Sequence, residues 1–508
     1  MRSELTRLLG CVWEAGAVGK SWRDAVIVAL PKKGDLSITD NWRGIALLEI
    51  LGKVLAKVMQ RRLAAVGEVV VPDTQCGFRR GRSCTDLIFV ISMLASKATE
   101  HNMTWHCGFV DLTKAYDSVP RDMAYQTLRA MGLPEKFVRV FESFHDDMEA
   151  EVRQRDGSTT ERFKVTSGLR QGCCISPSVF NGYFHFVIED YCRRAEQLGI
   201  FVTFKWNDQK RLIGRLPCDA RAILEKLASL QFADDAAIMA PDRHHLELGL
   251  RLFQQVASEW GLLLSLPKTV AVRFRAQHEQ PEQPLELIGG TVAYKTDFRY
   301  LGTLIHCSGA AAPEAQFRVN KGAAAFGALR AAVFENRHIS LKAKATVFKS
   351  VVLGVALYGA ETWAATESDL RSMDVWQNHC VRVMTGVHRF AQLKEHIHDT
   401  ELRARLNLST MTEVIEERRL KWLGHVFRMP PERLPRKVLF SWLPGTRPRG
   451  RPHMRWPDAV MTALRRRNCQ GEEWRQIAED RTRWRAFCDG QTAPEARCHR
   501  YPRLAHAN

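Results

Sequence analysis

The sequence has no apolar run long enough to span a bilayer. A membrane helix needs about 18 consecutive apolar residues, and the nearest approach, Val351 to Tyr358, stops far short of that. The opening residues, MRSELTRLLGCVWEAG, place Glu4 and Arg7 where a secretory leader requires an unbroken apolar stretch. The 13 cysteines lack regular spacing, and Cys173 and Cys174 are adjacent, which suits reduced thiols better than a disulfide framework. Cys469, Cys488 and the Cys498-His499 pair lie too far apart for a zinc finger or knuckle, so no structural zinc is expected. There is no internal repeat and no long low-complexity tract, which argues against a repeat array. Acidic side chains are also short, 56 against 74 basic ones, leaving a net charge of +18 and a pI near 9.5. Such a balance points to a polyanionic partner, nucleic acid before an anionic membrane. The expectation is an intracellular protein of nucleus or cytoplasm, not secreted and not membrane-bound.

What is present is an ordinary folding chain. Apolar residues make up 45% and charged residues 26% of its 508 positions, a length that predicts about three domains. The positive charge is concentrated at one end: Glu401 to Asn508 holds 23 Lys and Arg against 12 Asp and Glu, which is +11 of the +18. Ala25 to Leu30 reads as a strand, LLEILGKVLAKVMQRRL (47–63) as an amphipathic helix, and CGFRRGRSC (76–84) as a loop before a helix from Thr85. Cys107 to Val110 is a strand that ends at Asp111, and Pro120 starts a helix that stops near Gly132. Residues 149–165 read as a hairpin, and Ser176-Pro177 opens a helix to about Leu198. Two short runs flank Ala233-Asp234-Asp235-Ala236 as a hairpin with an acidic tip. A helix over 244–260 and a strand over 270–274 follow, and beyond Gly302 the pattern is helical.

Three aspartates stand out. Asp111 ends a strand, and Asp234 and Asp235 share a turn between apolar runs. An Asp pair in a turn is common turn chemistry, and a strand-end Asp often caps a helix. Brought together at one end of a sheet, however, three carboxylates repel one another unless a cation compensates. Mg²⁺, hard and oxygen-seeking, is the natural choice, with Mn²⁺ as a substitute.

Read in order, GFVDLTKAYDSVP (108–120), GLRQGCCISPSVFN (168–181) and FADD (232–235) resemble motifs A, B and C of retroelement reverse transcriptases. PKKGDLSITDNWRGIALLEILGKVLAKVMQRRL (31–63) and QCGFRRGRSCTDLIF (75–89) are similar to the fingers blocks of the non-LTR, LINE-like group. GLLLSLPKT (261–269) resembles motif D, and FRYLGTLI (298–305) the primer-grip element. The resemblance implies an α+β right-hand polymerase whose fingers and palm carry an antiparallel sheet, followed by a helical thumb and a basic, mostly helical C-terminal region. Expected boundaries are 1–106 for the N-terminal segment and fingers, 107–305 for the palm, 306–410 for the thumb and 411–508 for the tail, the reverse transcriptase domain covering about 13–305 overall. It further implies that Asp111, Asp234 and Asp235 hold two Mg²⁺ ions that promote nucleotidyl transfer from a dNTP to a primer 3′-hydroxyl on an RNA template.

Other roles follow from the same resemblance. Tyr116 is the sugar-selecting ring, Gln171 and Gly172 meet the paired nucleotide, and Lys32 and Arg43 clasp the triphosphate. Lys268 is a possible acid for the leaving pyrophosphate, although Ser265 stands where the motif commonly has Asn. Asp117 reads as a helix cap and not a ligand. Arg79 and Arg82 of the Gly/Arg loop, and Lys342, Lys344, Lys349 and Arg382 of the thumb, are expected to contact nucleic-acid phosphates. In the tail, RRLKWLGHVFRM (418–429), GTRPRGRPHMRWPD (445–458) and WRQIAEDRTRWRAF (474–487) resemble the C-terminal region of LINE-like polyproteins. Arg447, Arg449 and Arg451 read as an extended basic strap, with Trp442 and Trp456 stacking on bases or packing a small helical module. Full-length relatives carry an endonuclease ahead of the polymerase, so a partial polyprotein without it is expected here. The partners are template RNA, a DNA primer or target and dNTPs. Two competing readings are a catalytically inactive RNA-binding remnant and an intron maturase.

Overall fold

Alternation and burial explain the strands, and buried helix faces explain what covers them. The computed structural model describes residues 2–32, 34–213, 222–274, 282–444 and 454–490. They form two compact units: Met1–Leu87, Met103–Phe204 and Leu224–Phe298 make the first, and Ile88–Asn102, Lys205–Ile223 and Arg299–Asn508 the second. This discontinuous division follows contacts, where the expected boundaries run strictly along the chain. In chain order the first ten strands are β1 (Ala25–Pro31), β2 (Trp42–Leu47), β3 (Trp105–Val110), β4 (Glu149–Val152), β5 (Phe163–Lys164), β6 (Val202–Trp206), β7 (Ile223–Leu227), β8 (Ser229–Phe232), β9 (Asp235–Ala240) and β10 (Val270–Phe274).

The first unit holds two four-stranded sheets. One has the order β2-β1-β4-β5, antiparallel except where β1 meets β4, and it contains the expected 149–165 hairpin as β4 and β5. The other, fully antiparallel, has the order β10-β3-β9-β8. Every residue of β3 is buried, as befits a central strand covered on both faces. Gly108 is what lets the Arg243–Glu259 helix lie close, because a Cβ there would meet Leu250 at 2.8 Å. That helix starts where Asp242 accepts the His245 N–H at 2.9 Å. The Ser176–Gln197 helix buries Phe180, Tyr183, Phe184, Val187 and Tyr191, a three-to-four-residue spacing that puts them on one face. Each such side chain contributes roughly 1.5–3 kcal/mol on burial.

Two local expectations shift. The 47–63 helix runs instead from Ile50 to Val70, because Leu47 pairs with Val26 in the β1–β2 ladder. The stretch 199–227, which carries no readable motif, supplies β6 and β7.

The second unit is mainly helical. The helices Glu367–Thr385 and Met411–Phe427 each begin with a Thr capping box, closed by Asp369 and Glu413. Here Trp456 corrects the expectation of a base-stacking ring. It is 1% exposed, its indole N–H donates to Glu361 O at 2.8 Å, and its edge meets Phe89. Trp442 is buried as well, in a short strand pair with Lys205. Both tryptophans are core, because large aromatic surface is worth more buried against aromatics than displayed to solvent. Lys344 is buried and donates to Met384 O, Lys349 donates to Asn407 O at 2.7 Å, and Arg382 lies 3.5 Å from Asp399. Of the four thumb cations named from sequence, Lys344 is thus withdrawn from solvent and Lys342 is exposed. Arg447, Arg449 and Arg451 lie outside the described residues. Among the described residues, no helix is long and apolar enough to cross a membrane.

Candidate active site

The site grows from the β3–β9 ladder. Its last pair is Val110 with Ala236, so one step further Asp111 faces Asp235 across the two strands. Asp234 is the second residue of the two-residue turn, Ala233-Asp234, that joins β8 to β9, and Asp235 opens β9, where it pairs with Phe232. Asp111 and the Asp234–Asp235 pair, more than 120 positions apart in the chain, are therefore neighbours at one sheet end. Their charges register it. Burial, with Asp111 nearby, raises the Asp234 carboxyl above its ordinary range, against the pull of Arg43 and Lys268. Burial, then Asp234 and Asp111, push Asp235 up to about 6.

The loop of the motif D resemblance is hydrogen-bonded to the same strand end. Thr113 N–H donates to Leu263 O, and Ser265 N–H donates to Asp111 O, each at 2.8 Å. This carries Lys268 to 3.1 Å from Asp111 Oδ2. The pair is close enough for charge attraction but off the line of a hydrogen bond, so that buried oxygen keeps an unfilled acceptor. Among the described residues no three His, Cys, Asp or Glu side chains converge tightly enough to make a ready-formed metal cage. The donor chemistry nonetheless fits a hard cation: three carboxylates, two of them raised by burial and by neighbouring carboxylate charge, and one buried oxygen without a hydrogen bond.

Around this centre the remaining residues divide. Tyr116 stacks on Phe180 with ring centroids 4.5 Å apart, and its hydroxyl is buried without a hydrogen-bond partner. Burial, with the Asp234 charge second, raises that phenol. Gln171 donates from Nε2 to Asp117 Oδ1 at 3.2 Å, and its carbonyl accepts Ala46 N–H at 2.7 Å. Asp117 is therefore no helix cap. It lies inside the short Ala115–Ser118 turn of helix, and Pro120 holds the N-cap position of the next one. Lys32 donates to Asp40 O, and Lys114 pairs with Asp40 at 2.8 Å, so Lys32 already has a local partner. Arg43 is exposed.

Arg79 and Arg82 depart from the role expected of them. Arg79 reaches Glu68 and the carbonyls of Pro72 and Gln75, while Arg82 reaches Glu68 and Asp73. Their side chains are 6% and 13% exposed. They pin their own loop and present little charge to a polyanion, because acceptors within the loop lie nearer than any external phosphate.

Sequence reasoning assigned no role to Gln75, Gly77 and Asn181, although all three lie inside quoted motifs. Gln75 binds both backbone groups of Ala233, Gly77 packs on Ala233, and Asn181 donates to Gly77 O. No one-dimensional pattern marks a glutamine whose partner lies 158 residues away.

The raised Asp235 has a consequence for stability. Folded Asp235 holds its proton more tightly than the unfolded chain does, so metal-free stability falls as pH rises from about 4 to about 6 and is level above. Thermal melting in chelator at several pH values, for wild type and Asp235→Asn, checks this: the substitution should flatten the slope, and parallel slopes would refute the assignment.

Residues 30–305 match the family model described as reverse transcriptase (RNA-dependent DNA polymerase). The probable RNA-directed DNA polymerase from transposon BS of Drosophila melanogaster is 23% identical over 78% of this chain and 41% of its own length. The Pol polyprotein from the type-1 retrotransposable element R2 of Popillia japonica is 25% identical over 59% of this chain and 40% of its own length. Among solved structures, apo telomerase from Candida tropicalis overlays 91% of this chain and 70% of its own at 12% identity and a TM-score of 0.39. The chain spans about two fifths of the length of those two curated relatives. With more than half of its residues inside the family model, and with retrotransposon proteins as relatives, the chain belongs to the reverse transcriptase (RNA-dependent DNA polymerase) family.

Proposed function

We propose that this chain extends a DNA primer on an RNA template, adding deoxynucleotides as a retrotransposon polymerase does. The observation that carries the proposal is the register of the β3–β9 ladder, which makes Asp111 and the Asp234–Asp235 turn neighbours. Asp111, Asp234 and Asp235 would hold two Mg²⁺ ions, with Mn²⁺ able to replace them. When bound, these supply activation of the primer hydroxyl and charge stabilisation at the leaving pyrophosphate. The chain's own groups do the rest. Arg43 and Lys268, whose charges already act on Asp234, face an incoming triphosphate. Lys32 joins them by exchanging its Asp40 carbonyl for a phosphate. Gln171 and Gly172 form the floor under the paired base.

Fingers and palm functions fall to the first unit, thumb and tail functions to the second. In the second unit a groove of about 1030 Å³ is lined by Arg330, Arg337, His379, Arg382, His388 and Arg389 among others. Lys344 lines it too but is buried and bound to Met384 O, so the arginines are the groups left to meet duplex phosphates.

Tyr116 is the sugar gate. A ring held flat against Phe180 cannot swing aside, so a 2′-hydroxyl above it has no room. Tyr116→Ala should raise ribonucleotide use relative to deoxynucleotide by ~10²-fold, read as the ratio of kcat/KM values. Unchanged discrimination would remove Tyr116 from this role.

The test of the whole proposal is Mg²⁺-dependent dNTP incorporation on poly(rA)/oligo(dT), compared with a DNA template. Background incorporation by wild type and Asp234→Ala alike would favour an inactive RNA-binding remnant. Promotion of RNA splicing would favour an intron maturase.

A further inference from the structure

Ala233 is an uncomfortable residue for its position. It takes a φ of 58°, the left-handed region where a Cβ costs roughly 1–2 kcal/mol and where glycine is the usual occupant. Yet the turn it begins must present Asp234 and Asp235 in one arrangement. Something outside the turn has to hold it.

One side chain does so from both sides. Gln75, 2% exposed, accepts Ala233 N–H on Oε1 at 2.9 Å and donates from Nε2 to Ala233 O at 3.1 Å. The same Oε1 accepts Gly77 N–H at 2.9 Å. The backbone adds two bonds, Cys76 N–H to Gln231 O and Gln231 N–H to Thr74 O, each 2.9 Å, which lock residues 74–76 alongside β8. Gly77 must be glycine here, since a Cβ would stand 2.2 Å from Ala233 N. Behind it, Asn181 of the Ser176–Gln197 helix donates to Gly77 O, and Arg79 and Arg82 tie the far end of the loop to Glu68. The result is a brace that meets the acidic turn through the amide of Gln75 and the bare backbone of Gly77.

We propose that Gln75 is a positioning residue for catalysis: its amide clasps Ala233 and sets the direction in which Asp234 and Asp235 present their carboxylates. The inference rests on the reading that this turn holds divalent ions. Misplacing a reacting centre by about 1 Å costs on the order of 10²-fold in rate, so a strained turn beside metal ligands needs such a brace.

The experiment uses the full chain and Mn²⁺ as probe. Mn²⁺ affinity is read by electron paramagnetic resonance, beside kcat and template–primer Kd. Gln75→Met keeps the length of the side chain and removes all three hydrogen bonds. It should weaken Mn²⁺ binding ~10-fold and lower kcat ~10²-fold, with template–primer Kd within about 2-fold. Adding Ala233→Gly, which adopts the left-handed turn without strain, should restore part of both losses. A role in fold stability alone would leave Mn²⁺ affinity of the folded protein untouched. If Gln75→Met does not fold, Asn181→Ala, which frees Gly77 O and leaves Gln75 in place, should still weaken Mn²⁺ binding by about 3-fold. Wild-type Mn²⁺ affinity in the folded variant overturns the inference. Asp234→Ala in the same assay separates the two claims. If it abolishes Mn²⁺ binding while Gln75→Met changes nothing, only the brace fails. If it too changes nothing, the metal-site reading fails.

Discussion

Asp111→Ala or Asp234→Ala is expected to lower Mg²⁺-dependent dNTP incorporation by at least ~10³-fold, a loss of about 4 kcal/mol of transition-state stabilisation. The size follows from the arrangement. Asp111 stands at the tip of a fully buried central strand, and Asp234 sits on a turn clasped by Gln75, so each oxygen set is held in place and its loss is not made good by movement of the backbone. The accompanying change in stability has the opposite sign. Asp234 is raised by burial and by Asp111, so removing its carboxyl relieves a repulsion in metal-free protein. Asp234→Ala should therefore melt in chelator at or above the wild-type temperature while losing its chemistry, the trade expected of a functional site. Melting well below wild type would mean that the carboxylate serves the fold, and incorporation within 10-fold of wild type would mean that it serves nothing here.

Gly172→Ala carries the second large effect, on the fold and the site together. Gly172 has a φ of 114°, which side-chain-bearing residues rarely adopt, and a Cβ there would lie 2.4 Å from the carbonyl oxygen of Ala46. That oxygen belongs to β2 and cannot retreat cheaply, because Ala46 pairs with Ile27 and donates its N–H to Gln171 O at 2.7 Å. Backbone strain and a backbone clash together cost about 3 kcal/mol or more. The contact that breaks is the one holding Gln171 beside Asp117, so nucleotide KM should rise along with the loss of stability. Urea midpoint and dNTP KM measured on the same preparation check both. A variant that keeps both would show that this loop has another conformation of equal energy.

Much of the site was legible along the chain because its signals are local. A strand that ends in Asp and a two-residue acidic turn between apolar runs are written in hydropathy and turn chemistry over a handful of positions. The ladder that joins them is the simplest way to bury both runs in one sheet. The same locality explains the hairpin at 149–165 and the helix after Ser176-Pro177. The limits of the 47–63 helix were misjudged where β1 claimed Leu47 as a partner, a pairing that the helical pattern itself does not contain.

What amino-acid order alone established is where the carboxylates, Tyr116 and the strands lie, since each is specified by near neighbours. Which polar group each long side chain finally reaches was settled by folding. Arg79 and Arg82, read as grips on nucleic acid, turn back on Glu68; Trp456, read as a stacking ring or a core residue, is sealed against Phe89; Lys344 is drawn inward to a carbonyl. Gln75, read as nothing in particular, became the clasp of the acidic turn. The physical reason is range: hydrophobic period and turn preference act over a few residues, whereas a hydrogen bond selects whichever partner three-dimensional packing brings to about 3 Å.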